Sequence, residues 1–447
     1  MADQTPPVQG ASSASASSAA AAAAATATSS GSTYKAPTPN PAFRMMGIPG
    51  LPKKLPSRNW MIFFAITGSI SAAIIYDKRE KKRATARWSR AVSHLAREPI
   101  ANPTQLPRKL TIFLESPPGD GLRVAQDHFT EYVKPILAAS GLDWEFVQGR
   151  KEGDVRAAVA ERIRRTRQPE TEAQTQEEII RNIRKNNKTP EWHGLRGDIV
   201  IGRHTWKEYV RGTHEGWLGP LTPPVFPEPE VKKAEETPAA EGSEGEKQEP
   251  KPEEKPERPP QPPPYNTTND YPTSALPMLI PAEFSPSAPI PFPHILGFSN
   301  TFIRLRRFVN RRHLADNIGR EVAAVCLAAA REYREDLDLT QAEQQTALEH
   351  EESDWPKATW KEDKPKEGQE KKVSAKPQEK IWTSPVVLDP RIAMRMRRFE
   401  IQPEEEARAK EIVVPEEEIE GWIKGSFRSL YRWAISKPEP NPSWPDE

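Results

Sequence analysis

One cysteine, Cys326, is all that the 447-residue chain carries. That excludes an internal disulfide and a cysteine-built zinc site. Its neighbours Val325 and Leu327 point to a buried helix position. An excess of either charge is missing too. The 64 Lys and Arg against 63 Asp and Glu give a formal net charge of +1, so global charge implies no nucleic-acid partner. Apolar residues are scarce, at 36%, and prolines number 48, so much of the length reads as linker. The first 43 residues hold only Asp3 and Lys35 as charged side chains, so they lack the Arg-rich amphipathic helix of a transit peptide. The G-x-S-x-G elbow, the kinase set, paired Cys motifs, the P-loop Lys-Ser/Thr pair and the three-glycine dinucleotide fingerprint are all absent. No catalytic residue, cofactor site or metal site emerges from the residues.

What is present is one long apolar run, Trp60-Met-Ile-Phe-Phe-Ala-Ile-Thr-Gly-Ser-Ile-Ser-Ala-Ala-Ile-Ile-Tyr76, without a charge. As a helix it spans ~25 Å, enough for a bilayer core. Trp60 and Tyr76 stand at its ends, where amphipathic rings favour the headgroup level. A core helix would show a polar side. This one has only Thr67, Ser69 and Ser71, whose hydroxyls the backbone can satisfy. The run begins too far into the chain, and is too long, for a cleaved signal peptide. It reads as a single membrane span between a short tail and a large one-sided remainder.

The expected organisation follows. Residues 1–59 form a disordered Ala/Ser/Thr- and Pro-rich tail. The span covers 60–76, and 77–107 hold a basic juxtamembrane helix and a Pro-rich connector. An α/β domain occupies 108–219. Its strands are Leu110–Glu115, Asp143–Gln148 and Asp198–Ile201, with helices over Leu122–Ser140, Asp154–Arg165 and Glu172–Lys185. That alternation predicts a small, parallel sheet with right-handed crossovers. Residues 220–293 read as a disordered Pro/Glu/Lys linker. Residues 294–348 read as helical, because Phe302, Leu305, Val309, Leu314, Ile318, Val322 and Val325 form one continuous stripe. A charged linker fills 349–380. The C-terminal segment 381–447 predicts a strand over Trp382–Leu388, a helix from Asp389 through Phe399 and a last helix from Pro415 to Trp433.

Four groups could carry function. The loop Ser116–Gly121 lies between a strand and a helix, where glycines can cradle phosphate. A membrane-tethered nucleotide- or lipid-phosphate-binding enzyme built on Gly119–Gly121 is the alternative reading. Two glycines and two prolines more often make an ordinary turn. His193, His204 and His214, with Glu191, Glu208 and Glu215, lack metal-ligand spacing and read as polar surface groups. Within the span, Ala65, Ser69 and Ala73, and Gly68 with Ala72, recur at spacing four. Such a face lets another membrane helix approach closely. Behind the span, Lys78, Arg79, Lys81, Lys82, Arg83, Arg87 and Arg90 form a basic flank suited to anionic lipid and to internal targeting. In the last helix Ile419, Trp422, Ile423 and Leu430 share a side that packs on the core or meets a membrane or partner.

The phrasing of three segments resembles a known family. They are Asn40-Pro-Ala-Phe-Arg-Met-Met-Gly-Ile-Pro-Gly-Leu-Pro-Lys-Lys-Leu-Pro-Ser-Arg-Asn-Trp60, Tyr76-Asp-Lys-Arg-Glu80, and Leu110-Thr-Ile-Phe-Leu-Glu-Ser-Pro-Pro-Gly-Asp-Gly121. Together they resemble the fungal fifty-four-kilodalton subunit family of the mitochondrial inner-membrane carrier translocase, most closely over residues 40–215. The resemblance implies a non-enzymatic scaffold without cofactors. It implies one span in the mitochondrial inner membrane and a large C-terminal domain in the intermembrane space. The implied partners are the channel-forming and other translocase subunits, small intermembrane-space chaperones and membrane lipids. Charge counting disagrees on orientation. Seven Lys and Arg follow the span and only Lys53, Lys54 and Arg58 precede it, which by the positive-inside rule places the domain in the matrix. Long domains translocate despite flanking charge, so the orientation implied by the resemblance is preferred.

Overall fold

The computed structural model describes residues 57–99, 104–168, 176–189, 192, 194–224, 261–334, 342–361 and 379–435. Most of the expected tail, and the middles of both expected linkers, lie outside these residues. The chain divides into two units, Met1–Ala65 and Ile66–Glu447. In the first, residues 57–65 are described, and they open helix α1 (Arg58–Val92). The helix is long and apolar enough to cross a membrane. In the second unit α1 continues as helix to Val92, where its buried residues are Asp77, Ala84, Trp88 and Val92.

The second unit is built on a six-stranded sheet in the order β2-β1-β3-β4-β6-β5. The strands are β1 (Lys109–Glu115), β2 (Asp143–Gly149), β3 (Asp198–Ile201), β4 (Ser287–Ile290), β5 (Ala330–Glu332) and β6 (Arg397–Phe399). All pair in parallel except β5 with β6. The pleat sends alternate residues of β1 to opposite faces. On one face Leu110, Ile112 and Leu114 join Ile199, Ile201, Ala288 and Ile290. They pack beneath α2 (Leu122–His128), a π-helical turn (Phe129–Val133) and α3 (Lys134–Ser140). Pro135 sits in the first turn of α3, where its missing N–H is tolerated, and Gly141 closes α3 in the left-handed region. On the other face Phe113 and Val200 meet α4 (Asp154–Arg167) and α6 (Arg203–Leu218). Helix α5 (Gln176–Asn186) lies between α4 and β3 in the chain. The strands, helices and parallel pairing expected over 110–201 are therefore present.

Several expectations beyond residue 201 change. The stretch assigned to linker 220–293 contributes β4, which pairs with β3 from Asp198↔Ser287 to Ile201↔Ile290. Its short sequence includes Pro289, which has no N–H to give. Pairing with β6 is correspondingly limited to Ser287↔Arg398. The 302–325 stripe is two helices, α7 (Thr301–Phe308) and α8 (Arg311–Cys326). The reason lies in a remote residue. The backbone N–H groups of Arg311 and Arg312 donate to the carboxylate of Asp77 at 3.1 and 3.2 Å, so the helix has to begin there. The expected linker 349–380 opens with a short helix α9 (Glu343–Thr346) just before it and a 3₁₀ turn (Glu349–Asp354) whose Glu351 is buried. Trp382–Leu388 is not a strand. The helix expected to reach Phe399 stops as α10 (Pro390–Ala393), and β6 follows. The chain ends its described part in α11 (Pro403–Glu411), α12 (Glu416–Ile419) and α13 (Trp422–Ile435). The 108–219 region and the later segments share this one sheet.

Within the second unit α1 lies in the first layer, against α8. Trp88 stacks over Gly319, where any side chain would collide with the indole, and its Nε1 donates to Asp316 at 2.7 Å. Trp88 is 2% exposed. Cys326 is buried at the end of α8, as its neighbours suggested, and burial pushes its thiol up to about 11. Trp88→Ala is expected to cost ~3–5 kcal/mol in urea unfolding of the detergent-solubilised chain. A loss below ~1 kcal/mol, the scale of ordinary surface changes, would mean that α1 is not part of the core.

Candidate functional site

The candidate surface begins on α1. Ala65, Gly68, Ser69, Ala72 and Ala73 are all exposed. Around Gly68 a Cβ would meet open space. Ile66, Ile70, Ile75 and Tyr76 are also exposed. In water that would be a large unburied apolar stretch, whereas in a bilayer it is solvated by lipid.

The basic flank is largely engaged by the domain's own acids. Arg79 pairs with Glu416, and Arg83 with Glu80. Arg87 pairs with Asp316. Arg90 donates to Glu418 at 2.9 Å and to the Val413 carbonyl at 3.0 Å. Lys81 pairs with Glu131, and its Nζ lies 4.5 Å from the Tyr132 ring centre. Burial, with Arg311 close by, lowers the Lys81 amine to about 8. Lys78 and Lys82 remain exposed. The cations of the flank thus help hold α1 to α12, α8 and the π-helical turn. Sequence alone could not show this, because the acidic partners are up to 337 residues away.

The glycine loop is an exposed turn. Gly119 has φ +89°, and a Cβ there would lie 3.0 Å from Pro356 and 3.1 Å from Leu296. The Asp120 carboxylate accepts from the Gly121 N–H at 2.8 Å and stands 3.6 Å from His294. A phosphate would meet that carboxylate at the helix end. In open α/β sheets ligands favour the crevice beyond the strand ends where the order reverses, here between β1 and β3. That crevice is filled by the chain itself. The Trp382 indole donates to Glu208 at 3.0 Å, and His204 stands 6.0 Å, ring to ring, from both Trp382 and Phe292. At the loop itself the Asp120 carboxylate already takes the Gly121 N–H, which weighs against the phosphate-enzyme alternative.

Two of the three histidines, His204 and His214, are not surface groups. His204 and His214 are buried on α6, while His193 and Glu191 lie outside the described residues. His204 Nε2 donates to the Glu115 carbonyl at 3.1 Å. His214 Nδ1 donates to the Val210 carbonyl at 2.8 Å, and its Nε2 accepts from the Asp389 N–H at 3.1 Å. Burial lowers both rings to about 4, so both are neutral. All sixteen residues of α6 are buried. Its charges are matched by distant segments. Glu215 pairs with Arg156 and Arg164, Arg211 with Glu379 at 2.9 Å, and Lys207 with Glu352 at 2.9 Å. Its charged residues Arg203, Lys207, Arg211 and Glu215 recur at spacing four, but that side is buried against distant segments instead of facing solvent. Among the described residues no group of His, Cys, Asp and Glu could hold a metal ion.

Exposed apolar side chains mark further surfaces, one of them on the last helix, where the sequence reading left core and partner contact open. Met278 and Leu279, at 101% and 92% exposure, tip a loop in the stretch assigned to linker. Phe298, Phe302 and Leu305 stand out around α7. Phe427, Leu430 and Tyr431 are exposed on α13, so Leu430 does not pack on the core, whereas Ile419 does. The side chains of Trp422 and Ile423 lie outside the described residues.

One buried acid gives a pH signature. Glu115, at the end of β1, has no hydrogen-bond partner for either carboxyl oxygen among the described residues. Burial, and then the Glu208 carboxylate beside it, raise it well above the ordinary carboxyl value. A raised folded value means that the unfolded chain releases this proton first. The contribution is therefore full at low pH and is lost as pH rises through the folded value. Glu115→Gln keeps a neutral side chain, so its melting temperature is expected to fall less than the wild type's from acid to alkaline pH. Parallel curves would show that Glu115 binds its proton no more tightly in the folded chain than in the unfolded one.

A protein-family model described as inner membrane protein import complex subunit Tim54 matches residues 40–399. A mitochondrial import inner membrane translocase subunit tim54 of Neurospora crassa is 55% identical over 420 residues, covering 89% of this chain and 88% of that protein. The Aspergillus oryzae protein of that name is 46% identical, covering 84% and 91%. The one from Schizosaccharomyces pombe is 33% identical, covering 75% and 91%. With most of the chain matched and one membrane-length helix in place, the chain belongs to the Tim54 family, non-enzymatic subunits of the mitochondrial inner-membrane import translocase.

Proposed function

We propose that the chain is a scaffold of the translocase that inserts carrier proteins, stabilising the complex through α1 and docking small intermembrane-space chaperones on its folded domain. The observation that carries this reading is α1 itself. Its small residues Gly68, Ser69, Ala72 and Ala73 are open to a neighbouring span, while its other end is built into the core. In lipid no hydrophobic force drives helices together, so close approach over small residues and the packing it allows become the main attraction. A stiff helix held this way fixes a domain beside its membrane partners. Exposed Met278 and Leu279 offer apolar contact to a soluble partner, and Lys78 and Lys82 remain available to anionic headgroups.

The proposed orientation places the domain in the intermembrane space. Long domains translocate despite flanking charge, so the seven cations behind the span do not oppose it.

Mild-detergent purification from mitochondria with partner identification tests the reading. The wild type is expected to bring translocase subunits and small chaperones with it. Gly68→Leu with Ala72→Leu is expected to lose the membrane partners while leaving the domain folded, since among the described residues a Cβ at Gly68 meets open space. Unchanged recovery by the double variant would remove α1 from the interface. Protease added after rupture of the outer membrane is expected to cleave the domain, and a protected domain would place it in the matrix.

A further inference from the structure

Helix α7 (Thr301–Phe308) has no buried residue, although both its ends are tied to the domain. A helix of eight residues is marginal in water unless packing supports it. Its sequence, Thr-Phe-Ile-Arg-Leu-Arg-Arg-Phe, is apolar on one side and basic on the other. Arg307 sets its roll by pairing with Asp354, Nη2 to Oδ1 at 3.0 Å. At ~100° per residue, Phe302 and Leu305 lie roughly 140° and 160° around the helix from Arg307, so they point away from the domain. Phe302 is 84% exposed, and Phe298, just before the helix, is 94% exposed. Arg304 and Arg306 are exposed beside them.

The position of α7 indicates what covers this face. The next helix, α8, starts at Arg311, whose N–H is bonded to Asp77 of α1. Asp77 directly follows Tyr76, the last residue of the apolar run, and the Arg312 guanidinium lies 5.3 Å from the Tyr76 ring centre. Arg311 is three residues beyond Phe308, so the end of α7 is within ~11 Å of that point. That end of the helix is therefore held near the level where α1 leaves the hydrocarbon. Apolar rings with flanking arginines at that depth match a helix lying in the headgroup plane.

We infer that α7 is an interfacial membrane helix, seating Phe302 and Leu305, with Phe298 ahead of them, among the acyl chains and placing Arg304 and Arg306 among anionic phospholipid headgroups. It gives the domain a second membrane contact and fixes its tilt about α1. The inference rests on α1 crossing the membrane, and it holds for either orientation of the domain. A protein partner on the same face is the competing occupant. The lipid is favoured because the face is continuous with the membrane contact of α1.

The test uses the full chain in vesicles of mixed zwitterionic and anionic phospholipid. An environment-sensitive dye is placed on Phe302→Cys, Ile70→Cys or Leu279→Cys. The native Cys326 is buried, and its thiol is raised to about 11, so it does not compete for label. Leu279 is as exposed as Phe302 but lies on the loop beside α6, across the sheet from α1. The probe at 302 is expected to shift to the blue and to be quenched by lipid spin-labelled near the headgroup. The probe at 279 is expected to do neither, and the probe at 70 to be quenched by lipid spin-labelled in the tail. A solvent-like probe at 302 with a quenched probe at 70 overturns the interfacial helix and leaves the span standing. Three solvent-like probes overturn both. Shielding of 302 in native membranes but not in pure lipid assigns the face to a protein partner and overturns the inference.

Discussion

Two backbone N–H groups, those of Arg311 and Arg312, donate to the carboxylate of Asp77, and much of the architecture depends on that contact. A carboxylate at a helix N-terminus satisfies otherwise unpaired donors and complements the helix dipole, an interaction of ~0.5–2 kcal/mol where such caps have been removed. Here the acid comes from another helix. It fixes where α8 begins, separates α8 from α7, and does so one residue beyond the apolar run. Trp88 over Gly319 then carries the contact along α1 into the sheet's first layer. The helix that crosses the membrane and the helix that completes the domain core are one element. A partner that holds or turns the span therefore acts on the domain without an intervening linker.

The sequence made the first half of this architecture legible. An apolar run with aromatic ends, and strands Leu110–Glu115, Asp143–Gln148 and Asp198–Ile201 alternating with amphipathic helices, carry their own periodicity. What escaped it depends on remote partners. The stripe from Phe302 to Val325 has a continuous period, and only Asp77, 234 residues from Arg311, breaks it. Helix α6 has a row of charges at spacing four, Arg203, Lys207, Arg211 and Glu215, but it is enclosed on all sides and only remote acids and bases explain why that row is buried. Strand β4 is four residues with a proline, and β6 is three residues rich in arginine, too short for alternation to register. Of the candidate sites, the small residues of α1 are exposed, as is every residue from 57 to 73, so exposure does not single them out. The basic flank was legible as a run of cations, but its acidic partners were not.

A glycine loop beyond a parallel strand invites an enzymatic reading, and here the loop carries its own acid. Asp120 takes the Gly121 N–H, and the crevice between β1 and β3 is filled by Trp382 and Phe292. Buried acids and neutral histidines there are matched by the chain's own groups or held uncharged. What the domain leaves open is its surface: the span, α7, the Met278–Leu279 loop and α13. That distribution suits a subunit whose work is contact, in keeping with a family of import-complex subunits.

Amide hydrogen exchange of the detergent-solubilised chain tests the joint between span and domain most directly. If Asp77 fastens α1 to α8, protection is expected to run unbroken from residue 77 to 92 at the level of β1. It is expected to drop together over 77–84 and 311–318 in Asp77→Ala. Fast exchange across residues 77–84 in the wild type, with β1 protected, would show a flexible hinge there and would contradict the coupling.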